Sequence, residues 1–340
     1  RYMYEDTISW LLEDENPSVK YFTLKDLLNK EKEAKEVKKE IPQSKIIKKI
    51  FSKQNEEGFW ESRENPYIPK YKATYWQIML LGYLGMDRDD ERVRRACEYI
   101  FKFQQKEGGF SETGIEKAKK EYEYTKERCL KRGKKPPDET KFVDDLIHQM
   151  ELSCLTGNTV SALIRIGYEN DKRVSKALRW LADIQNRDGG WLCPYWKAHI
   201  RDTHSCFYGT ICALEAFSEV KNVFKETIKR GAEFLLMHRL YRADHHNFEV
   251  INKKWLELSF PWFYGYDILR GLYVLTKLGI KDERMKDAVK IIKSKEKEGK
   301  WILEKTPNGR MHTNIEKKGK ESKWITLNVL RVLKRMGDLV

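Results

Sequence analysis

The sequence predicts an all-α fold, an α/α toroid: a closed ring of paired helices in an inner and an outer layer. Three observations predict it. A seven-residue phrase recurs along the 340 residues, a helix-like stretch precedes each copy, and a more apolar stretch follows it. The phrase reads Gln54 to Trp60, Gln104 to Phe110 and Gln185 to Trp191, and more loosely Lys295 to Trp301. Its glycines, Gly58, Gly108, Gly189 and Gly299, stand 50, 81 and 110 residues apart. The last interval is about two periods of roughly 55 residues, the spacing of stacked helix pairs. Lys229 to Arg239 fits the copy missing from that interval; it keeps the helix and has lost the glycine turn. The middle interval is one period plus an insertion of roughly 30 residues.

Each element follows from its pattern. Residues 2–30, with Pro17 opening a second helix, supply the first inner helix. The outer helix of the second unit carries Val93, Ala96, Cys97, Ile100 and Phe103. Its counterpart in the third unit carries Val174, Ala177, Leu178, Leu181 and Ile184. Both are the i, i+3, i+4, i+7 stripe of a half-buried helix. The stretches Thr74 to Leu84, Thr156 to Ile166, Cys206 to Phe217, Tyr266 to Leu278 and Ile325 to Met336 are apolar on most sides. A helix apolar all round is buried all round, so these form the inner ring. Six inner and five or six outer helices make one domain, residues 1–340. Residues 113–145 break the period: a charged insertion rich in Lys and Glu that contains Pro136 and Pro137. It reads as solvated surface, or as an arm over one mouth of the ring.

The phrase has a physical logic. Glycine adopts the left-handed conformation that ends a helix, the glutamine bonds backbone at a neighbouring helix end, and the aromatic ring stacks between units. Gln-x-x-x-Gly-x-Trp/Phe, preceded by Lys/Arg-Ala/Gly-x-x-aromatic-Leu/Ile, resembles the QW motif of squalene and oxidosqualene cyclases. Arg95, Ala96, Tyr99, Ile100 and Gln104 match it, as do Lys176, Ala177, Trp180, Leu181 and Gln185. Cys154 to Asn158 and Lys317 to Trp324 resemble a bacterial and archaeal branch of the prenyltransferase and squalene-oxidase-repeat group. The resemblance implies a terpene cyclase-like toroid with an apolar central cavity and isoprenoid-type substrates. Fold alone does not carry a chemistry, since cyclases, prenyltransferases and non-catalytic toroids share it.

Composition limits the partners. The chain is 35% charged with a net charge of +14, its lysines interleaved with glutamates on helix faces. That suits ion-pair-laced helices and leans towards a thermophilic source. No nucleic-acid signature accompanies the charge, so no nucleic-acid partner is expected; an anionic substrate or peripheral membrane contact accounts for it. No apolar run approaches a membrane span and no secretory pattern is present. Six scattered cysteines do not form a disulfide framework. A cytoplasmic setting is expected.

Asp87, Asp89 and Asp90 match Asp-x-Asp-Asp, the acid motif by which class II terpene cyclases protonate an alkene. The repeat reads them differently. Asp90, Asp171 and Asp282 stand at equivalent positions before outer helices, where aspartate caps free N–H groups. No cavity-facing acid motif is therefore expected. Cys154, Cys193, His204 and Cys206 form a second constellation, with thiolate and imidazole ligands suited to zinc. Protein prenyltransferases hold a catalytic zinc with Asp, Cys and His in such a ring, but their ligand order and spacing are not reproduced here. Free buried cysteine is also a common core residue.

The third cluster, Phe260 to Asp267, enters the fifth inner helix with five aromatic rings and one carboxylate in Trp262, Tyr264, Tyr266 and their neighbours. Trp76, Asn158 and Trp324 occupy comparable early positions on other inner helices. Together they form the expected wall of one cavity, with Arg310, His312 and Lys323 as a basic rim for an anionic head. Asp267, His204 and Tyr264 are the candidate catalytic groups; a carboxyl among aromatic rings has its pKa raised, as acid work requires. Three classes stay open. One is an enzyme on an isoprenoid or prenyl diphosphate, a transferase or a cyclase/lyase. The others are a carbohydrate-active α/α-barrel enzyme and a non-catalytic toroid that binds an apolar ligand.

Overall fold

The computed structural model describes residues 3–192 and 203–339. Among them are fifteen α-helices and one two-stranded sheet, Trp301–Ile302 (β1) against Glu321–Ser322 (β2). The inner layer comprises α2 (Pro17–Phe22) with its continuation Thr23–Leu27, α5 (Thr74–Tyr83), α9 (Ser153–Leu163), α11 (Phe207–Ser218), α13 (Ile268–Lys277) and α15 (Lys323–Arg335). Consecutive members pack against one another from α5 to α15, and α15 packs on α2. The ring closes where the Ser18 hydroxyl donates 2.7 Å to the Leu84 carbonyl at the end of α5. The expected closed toroid is the observed fold.

The outer layer comprises α1 (Glu5–Leu11), α4 (Lys45–Phe51), α6 (Glu91–Phe101), α10 (Lys172–Asp183), α12 (Lys225–Met237) and α14 (Lys286–Ser294). The apolar stripes of α6 and α10 are buried, except that Ile184 at the end of its stripe is 40% exposed. Asp90, Asp171 and Asp282 each accept the backbone N–H two residues on, the expected caps, and each also grips the arginine there.

The recurring phrase joins neighbouring outer helices. Gln54, Gln104 and Gln185 each donate their amide to the carbonyl of their own glycine. Each also donates to a carbonyl in the first turn of the next outer helix, that of Arg92, Arg173 or Thr227, at 2.8–2.9 Å. Gly58, Gly108 and Gly189 are left-handed, and a Cβ on any of them would meet the next helix's backbone within 2.7 Å. The fourth turn closes the outer ring instead: Gly299 lies against Thr7 of α1, whose hydroxyl donates to the Gly299 carbonyl at 2.9 Å. The degenerate copy turns on Arg239 and Leu240, both left-handed without being glycine.

A second repeat is visible only in the structure. Thr74, Thr156, Thr210 and Thr326, each in the first turns of an inner helix, accept the backbone N–H of Trp60, Phe110, Trp191 and Trp301. The insertion is a helical hairpin, α7 (Ile115–Lys131) and α8 (Glu139–Gln149), so it extends past residue 145. It has its own small core of Ala118, Tyr122, Val143 and Ile147. The remaining helix, α3 (Glu31–Lys38), packs on α2.

Gly189→Ala is expected to destabilise the fold by about 3 kcal/mol, combining the left-handed penalty with a backbone clash. Gly279→Ala, also left-handed but with open space around it, should cost only about 1 kcal/mol. Equal losses in urea unfolding would contradict the docking role of the turn.

Candidate ligand site at the ring axis

The expected cavity wall meets at the axis, but as a packed plug. The segment before α13 crosses the ring. Phe263 lies 5.1 Å from Tyr71 and 5.4 Å from Trp76, and Trp262 lies 6.0 Å from Tyr83 and 5.2 Å from Tyr273. Phe260 stacks on Trp324 at 4.6 Å. The rings of three other inner elements thus touch this segment rather than surround a space. The expectation of an open aromatic cavity is corrected on these contacts. Each aromatic ring buries about 150–250 Å² by filling the bore, which an empty apolar space would forfeit.

The candidate residues divide into groups. Tyr264 sits at the outer end of the plug, 5.9 Å from Trp76, with the Lys70 ammonium 4.8 Å over its ring. Arg310 and His312 reach the same end, as expected of a rim. Arg310 lies 4.6 Å over the Tyr71 ring, and His312 Nε2 is 3.0 Å from the Lys72 carbonyl. Lys323 and Trp324 instead line a groove of 1370 Å³ beside Trp10 and Glu316, where the Lys323 ammonium pairs with Glu15 at 2.7 Å. Lys323 therefore belongs to a different opening from Arg310 and His312. Tyr266 turns outward, packing 5.0 Å from Trp255 and 5.2 Å from Phe207, and bonds the Leu240 carbonyl.

Asp267 is buried and caps α13. It accepts from the backbone N–H of Arg270 at 2.8 Å, from that of Ser259 at 2.9 Å, and from the Ser259 hydroxyl. Burial pushes its pKa up, as expected, against those donors. A carboxylate engaged by three donors is built to hold the helix start, so its proposed role in moving a proton lacks a free oxygen. His204 bonds the Ser205 carbonyl at 2.8 Å and packs 5.6 Å from Phe234 and from His238, towards the outer layer. Cys154 is half-buried in the first turn of α9, and Cys206 is the buried residue before α11. Among the described residues, no group of three or more His, Cys, Asp or Glu is placed to hold a metal. Cys193 lies outside the described residues. Cys154, His204 and Cys206 do not by themselves gather into the expected zinc site.

Beneath the plug runs a chain of charges. Arg270 is wholly buried; it donates to the carbonyls of Phe263 at 2.6 Å and Gly265 at 2.8 Å, and to Asn158 Oδ1 at 2.8 Å. It pairs with Glu215 at 3.1 Å, and the Tyr83 hydroxyl donates to the same carboxylate at 2.8 Å. Arg165, just beyond α9, lies 3.2 Å from Glu215 and 3.0 Å from Glu219, which Lys277 reaches at 2.5 Å. Burial alone would raise the Glu215 pKa; Arg270 and Arg165 outweigh it and hold the group at about 2. Charges on helices that read as apolar are the signal that sequence reading passed over.

The chain leads to a well of 620 Å³ where the inner helices end. Tyr83 and Tyr273 line it, together with Arg165, Lys277, Arg331 and Arg335. Seven Lys and Arg side chains line it against five carboxylates, so its charge is net positive. Arg331 pairs with Asp26 at 2.8 Å. Asp90 caps α6 as expected, while Asp87, half-buried, and Asp89, exposed, also border this well. Asp87 is occupied there, 2.7 Å from the Lys38 ammonium.

Residues 5–124 match the family model of the prenyltransferase alpha-alpha toroid domain. The sequence resemblance to that group therefore stands on this part of the chain. A solved structure of a protein from Actinoplanes is similar at 12% identity, with a TM-score of 0.46. The match covers 96% of this chain and 90% of that one. No helix among the described residues is long and apolar enough to cross a membrane.

Arg270→Met should cost about 3–5 kcal/mol, because it strands the Glu215 carboxylate. Glu215 titrates lower in the folded chain than its ordinary 4.5, so its stabilisation is full above that pH and is lost as pH falls towards about 2. Glu215→Gln should flatten the acid dependence of stability across that window. An unchanged slope in urea unfolding would show that the carboxylate is not held by the two arginines.

Proposed function

We propose, from the prenyltransferase-type toroid domain on residues 5–124, that this protein is an enzyme taking a short prenyl diphosphate or a similar small phosphorylated molecule. The site is the well at the inner-helix C-termini. One observation carries the reading: Arg165, Lys277, Arg331 and Arg335 converge from three inner helices on an axial space lined by tyrosines. Helix C-termini carry partial negative charge, so cations are favourable there by themselves. Their surplus over the carboxylates is what leaves room for an anion. Guanidinium groups suit phosphate oxygens through paired N–H donors.

The well's volume falls within the roughly 300–1,000 Å³ of small-molecule sites. Phe22 also lines it, and Trp262 packs behind Tyr83 and Tyr273. This gives a short apolar tail aromatic contact, whereas the plug leaves no course for a long chain along the axis. None of the expected rim, Arg310, His312 or Lys323, lines this well, and of the expected wall only Trp262 packs against it, so the site proposed here differs from the one expected from the sequence.

Inorganic diphosphate and dimethylallyl diphosphate should raise the melting temperature of the protein, less so at high salt. Arg335→Gln should weaken binding roughly tenfold, the loss of one charge-assisted contact of about 1.5 kcal/mol. Lys323→Ala, outside the well, should leave binding unchanged. A shift with a neutral sugar and none with either diphosphate would sink this reading and favour a carbohydrate substrate.

A further inference from the structure

We propose that Tyr273 is the proton-transferring group of this well, acting on a phosphorylated substrate held by Arg165, Lys277, Arg331 and Arg335. The proposal rests on the anion-site reading above and assigns the chemistry within it. Tyr273 is buried on α13 and lines the well. The other tyrosines around the axis are committed: Tyr75 donates to the Ser111 carbonyl, Tyr83 to Glu215, and Tyr266 to the Leu240 carbonyl. The Tyr273 hydroxyl makes no hydrogen bond among the described residues.

The charged groups nearest its ring are cations. Arg335 lies 4.5 Å from the ring centre, Arg331 5.8 Å and Lys277 5.9 Å. The carboxylates facing the same space are paired: Asp26 with Arg331, Glu219 with Arg165 and Lys277, and Glu215 with Arg270. Burial pushes the phenols of Tyr75, Tyr83 and Tyr266 well up. For Tyr273 burial acts the same way, but Lys277, Arg331, Arg335 and Arg165 outweigh it and bring the phenol below its ordinary 10.0. A base titrating closer to working pH is the more effective one.

The step balances simply. The Tyr273 phenolate oxygen takes a proton from an acidic O–H, N–H or C–H of the substrate. The electron pair of that bond stays on the substrate, beside the four cations, and nothing is oxidised or reduced.

The test follows tyrosinate absorbance with rising pH in wild type and in Tyr273→Phe. Wild type should show a step of one tyrosine among its 17 before the ordinary phenols near 10.0, and the variant should lack it. Arg335→Gln keeps Tyr273 and should move the step upward, so the result does not hinge on whether Tyr273→Phe folds. Tyr273→Phe should still bind inorganic diphosphate. A titration unchanged by both substitutions, or loss of diphosphate binding in Tyr273→Phe, overturns the proposal; the second outcome would make Tyr273 an anchor. Absence of a diphosphate shift in wild type overturns the anion-site reading instead, whatever the titration shows.

Discussion

A guanidinium with no access to water must have all five of its N–H groups met, and Arg270 meets this demand at the centre of the ring. Two donors go to the carbonyls of Phe263 and Gly265, one to Asn158, and two to Glu215. These bonds link α13 to α9, to α11 and to the segment that fills the bore. Removing any one acceptor leaves a buried charge short of a partner, a far larger cost than the bond itself is worth. The plug is therefore not a loop resting on a cavity. Its backbone is part of the solvation shell of a buried cation.

The two mouths of the ring differ because of that arrangement. On the side where the inner helices begin, Tyr71, Trp76, Phe263 and Tyr264 pack together beneath Lys70 and Arg310. On the side where they end, partial negative charge from each helix gathers at one place, and arginines and lysines answer it. Arg165 belongs to both systems, since it touches Glu215 below and Glu219 at the rim. An anion in the well would compete for the same guanidinium that steadies the Arg270 pair.

The outer layer depends on a simpler constraint, the absence of a Cβ. Gly58, Gly108 and Gly189 bring one turn into contact with the backbone of the next outer helix, and the glutamine beside each spans the same gap. Gly299 has lost the glutamine but still fits against Thr7, which lies nearly the whole chain away. Where Arg239 and Leu240 take the turn, no such approach is possible. That join keeps the inter-helix ion pair also present at the Gly108 join, Arg284 to Glu233 at 2.7 Å as Arg173 to Glu98 at 2.8 Å.

The sequence by itself determined the ring. Spacing of Gly58, Gly108, Gly189 and Gly299, the stripes of α6 and α10, and the capping aspartates Asp90, Asp171 and Asp282 are all local, and each survived folding nearly as read. Local pattern also picked out Trp76, Tyr264, Arg310 and His312, which gather near one end of the axis, whereas Trp262 packs towards the other. It had no means of telling a lined cavity from a filled one, because that depends on how wide six packed helices leave the bore. Nor did it reveal that Lys323 faces a separate groove, that Asp267 is saturated by Ser259 and Arg270, or that four threonines repeat the aromatic anchor. Arg165, Glu215 and Arg270 lie far apart in the chain, each on a different inner element that reads as apolar. Only the closed ring brings them within bonding distance, and only there does one arginine's need for five acceptors decide which mouth stays open.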